Sequence, residues 1–148
     1  MIKQAVVTTL LSLAALGAHA EVVNIDNAEL ARLVASGVAI IDIRTAGEWK
    51  ETGIIAGSRL LTFFDEKGRS DAPAWLEKAK LVAKPEQPVI LICRSGNRTR
   101  AATQFLSQQA GYKTVYNVSG GLNAWAREGR AVVPASSAVA VCAAGARC

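Results

Sequence analysis

From Val22 onward, short β-branched runs alternate with stretches in which apolar residues recur at helical spacing. VVNI reads as a strand. Asp26 or Asn27 can cap the helix that follows, in which Leu30, Leu33 and Val34 share a face until Gly37 stops it. VAIIDIR is a near-continuous apolar run, the pattern of a strand covered on both faces of a parallel sheet. Thr45 and Glu48 have the spacing of a capping box at the start of a short helix ending near Gly53. SRLLTFF is a short strand or extended segment, and DEKGRSDAP has turn chemistry. Asp71 is placed to cap a helix with Trp75, Leu76, Ala79 and Val82 on its inner face. VILIC is a second buried strand, and Ala101, Ala102, Phe105, Leu106 and Ala110 then mark the clearest amphipathic helix, ended by Gly111. KTVYNV is a further strand, and SGGLNAWAREG is a Gly-Gly turn opening a helix that buries Leu122 and Trp125. This alternation predicts one α/β domain over residues 21–134, with a central, mostly parallel sheet and helices on both faces. Residues 135–148 are alanine-rich, lack a period and read as an appended tail.

Residues 1–20 stand apart. Lys3 precedes an uncharged apolar stretch from Ala5 to Gly17, and Ala18-His19-Ala20 offers small residues where a signal peptidase reads. The stretch is shorter than the ~20 apolar residues that span a bilayer, so a cleaved secretory signal is expected and a stable membrane anchor is not. The chain's one histidine, His19, would leave with it, and the mature protein would have no histidine for acid–base chemistry or metal binding.

With 51% hydrophobic and 20% charged residues, the 148-residue chain suits a single domain with a real core. Its formal charge of +5 is spread along the sequence, with Arg94, Arg98 and Arg100 the one tight basic cluster. That distribution argues against nucleic acid and for a small anion. An odd cysteine count in an exported chain suggests one pair and one thiol left over. Cys142 and Cys148, close together in the tail, are the natural pair, and Cys93 is the odd one out.

Cys93 follows a central strand and precedes a helix, the place where parallel α/β sheets bind ligands. A helix N-terminus stabilises a thiolate, which is the nucleophilic form of cysteine. Gly96 lets the loop turn backbone amides inward as an anion nest, and Arg94 and Arg98 add positive charge. The competing reading is a buried cysteine that merely closes a strand. The flanking arginines and Gly96 favour the reactive thiol.

Four stretches together resemble the rhodanese-like sulfurtransferases, from about Asn24 to Val133. They are IIDIRTAGEWKETGIIAGS, with Asp-x-Arg and Gly-x-Ile-x-Gly elements; VILICRSGNRT, the cysteine loop; FLSQQAGYKTVYNV; and SGGLNAWAREGRAV. The resemblance implies a rhodanese-like fold and a ping-pong mechanism in which Cys93 takes a sulfane sulfur from thiosulfate or a similar anionic donor. The Cys93 persulfide would then pass it to a thiophilic acceptor such as cyanide, a small thiol or a thiol protein. It further implies that backbone amides from Arg94 to Thr99 hold the persulfide and that Arg94 and Arg98 bind or steer the donor. No metal or other cofactor is implied. The single domain with its signal resembles the small periplasmic rhodaneses and places the mature chain in the periplasm. Ile54 and Ala56 stand where the family often has histidine and proline, and Gly129-Arg130-Ala131 where it often has Gly-x-Pro.

Around the cysteine, the side chains of Ser95, Asn97 and Thr99 either donate to the sulfur or stabilise the turn. Asp42 and Arg44, closing a buried strand, read as a structural ion pair. Trp49, Trp75 and Trp125 read as packing, and Phe63 and Phe64 either wall the site or pack. A tail cysteine attacking the Cys93 persulfide is the sharper alternative to a plain tail disulfide. Three functional rivals remain: a domain used only for binding, in which Cys93 would be unreactive; a persulfide carrier or redox partner without fast small-molecule turnover; and a cysteine phosphatase or arsenate reductase. The latter loop carries arginine at the sixth position after cysteine, where this chain has Thr99.

Overall fold

The sheet is built from strands that the apolar runs mark out. In the computed structural model, which describes residues 20–142, β1 (Glu21–Ile25), β2 (Ala39–Asp42), β3 (Arg59–Leu60), β4 (Val89–Ile92) and β5 (Thr114–Val118) form one sheet in the order β1-β5-β4-β2-β3. Every named pairing is parallel. Helices α1 (Asn27–Ala35), α2 (Ala46–Thr52), α3 (Ala72–Val82), α4 (Asn97–Gln108) and α5 (Gly121–Arg127) connect or follow them.

The unbroken apolar runs have a direct cause. β2 and β4 lie inside the sheet, and alternate residues feed two separate cores. Ile41, Val89 and Leu91 pack with Trp75 and Ala79 of α3 and Ala102 and Leu106 of α4. Ile40, Ile90 and Ile92 pack on the other side with Leu30 and Leu33 of α1 and Leu122 and Trp125 of α5. SRLLTFF supplies only the two-residue β3, beside Ile41 and Asp42. Phe63 then turns into the core, with its ring 4.9 Å from that of Trp75 in an edge-to-face contact.

Local signals fix the helix starts. Asp26, not Asn27, caps α1 and accepts from the Glu29 N–H; Asp71 caps α3; Thr45 and Glu48 close a full capping box on α2. Asn27 is buried and donates to Glu128 Oε1 at 2.8 Å. Past α5 the chain returns to the domain. Ile54 and Val133 exchange backbone hydrogen bonds at 2.9 and 2.8 Å, and the Val139 N–H donates to Ser58 O at 3.0 Å. The first part of the tail therefore lies against the domain. Among the described residues no helix is long and apolar enough to cross a membrane. The expected signal segment falls on residues 1–20, of which 1–19 lie outside the described residues.

Candidate active site

β4 delivers Cys93 to the carboxyl edge of the sheet, and α4 begins four residues later. The thiol is fully buried and is a free cysteine. Cys142 is disulfide-bonded. Cys148, its expected partner, lies outside the described residues.

Backbone geometry, more than side chains, shapes the loop. Gly96 is the N-cap of α4 in the left-handed region (φ 91°), with no side-chain cap, and its N–H donates to Cys93 Sγ at 3.1 Å. The uncapped helix end thus directs an orphan donor and its positive dipole end toward the sulfur. Thr99, one turn into α4, sits with Oγ1 3.6 Å from Sγ and also donates to Gly96 O at 2.9 Å. A hydroxyl carries a single proton, so Thr99 serves either the Gly96 carbonyl or a sulfur anion.

The loop is held from below by the turn after β5. The Leu122 and Asn123 N–H groups donate to the Cys93 and Arg94 carbonyls at 2.9 and 3.0 Å. This gives both loop carbonyls a backbone donor. The contact needs two glycines. A Cβ on Gly96 would lie 2.2 Å from Ser119 O, and one on Gly121 would lie 2.5 Å from the Arg94 carbonyl and 2.6 Å from Cys93 O. The Gly-Gly turn is therefore a close-approach surface for the cysteine loop as well as a helix start.

The arginines divide. Arg98 forms a two-pronged pair with Glu48, Nη1 to Oε2 at 2.7 Å and Nη2 to Oε1 at 2.6 Å. This pairing holds the Glu48 carboxyl down at about 2, with the Thr45 N–H assisting against the opposing effect of burial. Arg98 is raised above its ordinary value, first by the Glu48 hydrogen bonds, with smaller contributions that include the nearby Cys93. Its charge still bears on the sulfur, but both of its terminal nitrogens are engaged by Glu48. Arg94 is exposed, and among the described residues its guanidinium makes no hydrogen bond. Ser95 and Asn97 are exposed and line a groove between α4 and the β1–β5 edge.

Asp42 and Arg44 lie one strand away, each side chain 1% exposed and paired at 2.6 Å. Arg44 also donates to Thr52 Oγ1 and Gly53 O, tying β2 to the end of α2. Trp75 donates to Leu61 O, and Phe63 packs beside it. Trp125 is buried with Arg130 stacked 5.0 Å from its ring centre, while Trp49 is half-buried.

Glu48 and Gly121 are the site residues that sequence reasoning did not reach. Glu48 was accounted for by the cap it makes with Thr45. Its second partner lies 50 residues away, where no local pattern points.

A buried cysteine at the carboxyl end of a parallel strand, held by a helix N-terminus and a glycine-built loop, is an arrangement suited to thiol-based group transfer. The chain belongs to the rhodanese-like domain family, whose members match it over residues 26–128. It is similar to thiosulfate sulfurtransferase 18 of Arabidopsis thaliana (32% identity over 109 residues, 71% of this chain and 79% of the relative). Rhodanese-like domain-containing protein 17 of the same plant is 31% identical over 109 residues, covering 71% of this chain and 69% of the relative. Among solved structures, the polysulfide-sulfur transferase homodimer of Wolinella succinogenes superposes with a TM-score of 0.61 at 25% identity, covering 80% of this chain and 83% of that one. The family is one of sulfurtransferases, and sulfur transfer is the general chemistry these relatives support.

Proposed function

We propose that the protein is a thiosulfate sulfurtransferase that works through a Cys93 persulfide. The Cys93 thiolate attacks the outer sulfur of thiosulfate. The new S–S bond forms as the S–S bond of the donor breaks, and sulfite leaves with that bond's electron pair. A thiophilic acceptor, cyanide or a thiol, then attacks the outer sulfur of the persulfide, and the Cys93 thiolate is regenerated. No net oxidation of the protein occurs.

The observation that carries the reading is the Gly96 N–H directed at Cys93 Sγ from the uncapped start of α4. A preorganised donor of this kind favours the anion on sulfur in both the thiolate and persulfide forms. Thr99 is placed to turn its hydroxyl proton to the same anion. Arg94, exposed at the loop, is the guanidinium best placed to steer a dianionic donor, while Arg98 acts through its charge and through the loop it anchors.

The test is thiocyanate production from thiosulfate and cyanide by the reduced protein, beside the Cys93→Ser variant. Turnover that depends on Cys93 supports the enzyme. Loading of Cys93 without turnover would favour a persulfide carrier for a partner thiol protein. Residues 1–20 carry the pattern of an export signal, and on that ground the mature domain is assigned to the periplasm. Cell fractionation with N-terminal sequencing of the mature form tests this, with Glu21 the expected first residue.

A further inference from the structure

We propose that the open edge of β1, with the groove beside it, docks an extended segment of the thiol protein that accepts the sulfur, a segment alternating acidic and apolar residues. The role of that partner rests on the sulfurtransferase reading; the docking surface does not.

β1 is an edge strand whose inner side alone is paired among the described residues. The Glu21 N–H donates to Lys113 O at 2.8 Å, and Ile25 O accepts from the Ser119 N–H at 3.3 Å. A parallel ladder engages alternate residues, so Glu21, Val23 and Ile25 turn their backbone groups toward β5. The N–H and C=O groups of Val22 and Asn24 therefore point outward, spaced to receive another strand.

The face beside that edge has a definite chemistry. Val22 and Asn24 border a cavity of about 560 Å³ against the polar side of α4, which reaches Ser95 and Gly96 of the cysteine loop. A second cavity of about 560 Å³ shares Val22 with the first and extends to Lys113. Among the described residues, Arg100 and Lys113 are the charged residues lining the two, with no carboxylate between them. Side chains of an added strand that face this groove would be favoured as acidic. On the opposite face Val23 packs with Ala31 and Val34 against the α1 core, so the intervening side chains would be favoured as apolar. Main-chain bonds to the edge supply affinity, and the two faces supply selectivity. The carboxyl end of β1 leads toward the cysteine loop, so a segment seated there brings its protein beside the site.

The test titrates a fluorescently labelled synthetic peptide of alternating valine and glutamate against the folded Cys93→Ser protein, read by anisotropy. Saturable binding is expected, at least about tenfold weaker in Val22→Pro, which removes an outward N–H that the β5 ladder does not use. Arg100→Glu, an exposed substitution outside the sulfur site, is expected to weaken binding about tenfold and to flatten its salt dependence. Circular dichroism checks that both variants fold. No binding up to about 1 mM peptide would overturn the proposal. So would binding equal in the parent and in the folded variants, or a concentration-dependent dimer that Val22→Pro abolishes, because the edge would then serve a second copy of the chain. The titration uses no sulfur donor and no reactive cysteine, so its failure leaves sulfur transfer standing, and failure of Cys93 to load sulfur leaves the docking result standing.

Discussion

Glu48 grips Arg98 with both carboxylate oxygens at 2.6 and 2.7 Å while the same carboxylate accepts from the Thr45 N–H at 3.0 Å. One side chain thus closes the start of α2 and anchors the first turn of α4, the helix whose N-terminus faces the sulfur. The pair is partly buried, with Arg98 26% and Glu48 18% exposed, so water screens it less than a surface pair.

Acid should find this pair. Glu48 is held at about 2 against an ordinary 4.5, so in the unfolded chain it takes up its proton earlier as pH falls. Its stabilisation is fully present above about pH 4.5 and is lost as pH drops toward 2. Glu48→Gln is expected to be less stable by about 2 kcal/mol at neutral pH, the scale of one hydrogen bond to a charged group. Urea unfolding across the acid range should show the gap between parent and variant closing in that window. A gap that stays constant through it would contradict the assignment.

Gly96 and Gly121 are expected to be intolerant for reasons of space as well as backbone angle. Alanine at either would drive a Cβ to within 2.6 Å of backbone atoms in the facing turn. Gly96→Ala and Gly121→Ala should cut Cys93 sulfur loading by at least about tenfold, because the loop must shift to relieve the clash. Gly57 is the control: its φ is also positive, +87°, but none of the described residues lies within 4 Å of its added Cβ. Gly57→Ala should cost only about 1–2 kcal/mol of stability and leave the loading rate unchanged.

Much of this architecture is legible in the chain because its causes are local. The runs AIID and VILI have no polar residue until the strand ends, since both of their faces meet a core. Asp71 and the Thr45–Glu48 box announce their helices by side-chain chemistry within one turn. The placement of Cys93 between strand and helix follows from the same patterns. The rest depends on which elements become neighbours. Nothing near Arg98 in sequence marks Glu48 as its partner, and nothing near Gly121 marks the carbonyls of Cys93 and Arg94 it must fit beneath. SRLLTFF is ambiguous because β3, two residues long and paired on one side alone among the described residues, carries too little pattern. Asn24 and Asn117, hydrogen-bonded at 2.8 Å across paired strands, put polar side chains where a propensity reading expects apolar ones.

Asp42 and Arg44 are a stability element. Removing one partner leaves the other charge buried and unpaired, so Asp42→Ala is expected to cost about 3–5 kcal/mol. Denaturant unfolding measures it, and a loss under about 1 kcal/mol would show that Thr52 and Gly53 alone suffice to hold Arg44.

The two loop arginines should separate kinetically. Arg94→Ala is expected to raise the KM for thiosulfate about tenfold with little change in melting temperature, and to weaken the dependence of kcat/KM on ionic strength. Arg98→Ala is expected to lower the melting temperature instead, because it releases Glu48 from the pair. The reverse pattern would place Arg98 on the donor and Arg94 in the scaffold.

Intact mass of the reduced mature protein, before and after thiosulfate, tests the central claim most directly. The expected result is a gain of one sulfur on the parent, none on Cys93→Ser, and its loss on adding cyanide as thiocyanate appears. A folded parent that gains no sulfur, or a Cys93→Ser variant that gains it equally, would contradict a Cys93 persulfide.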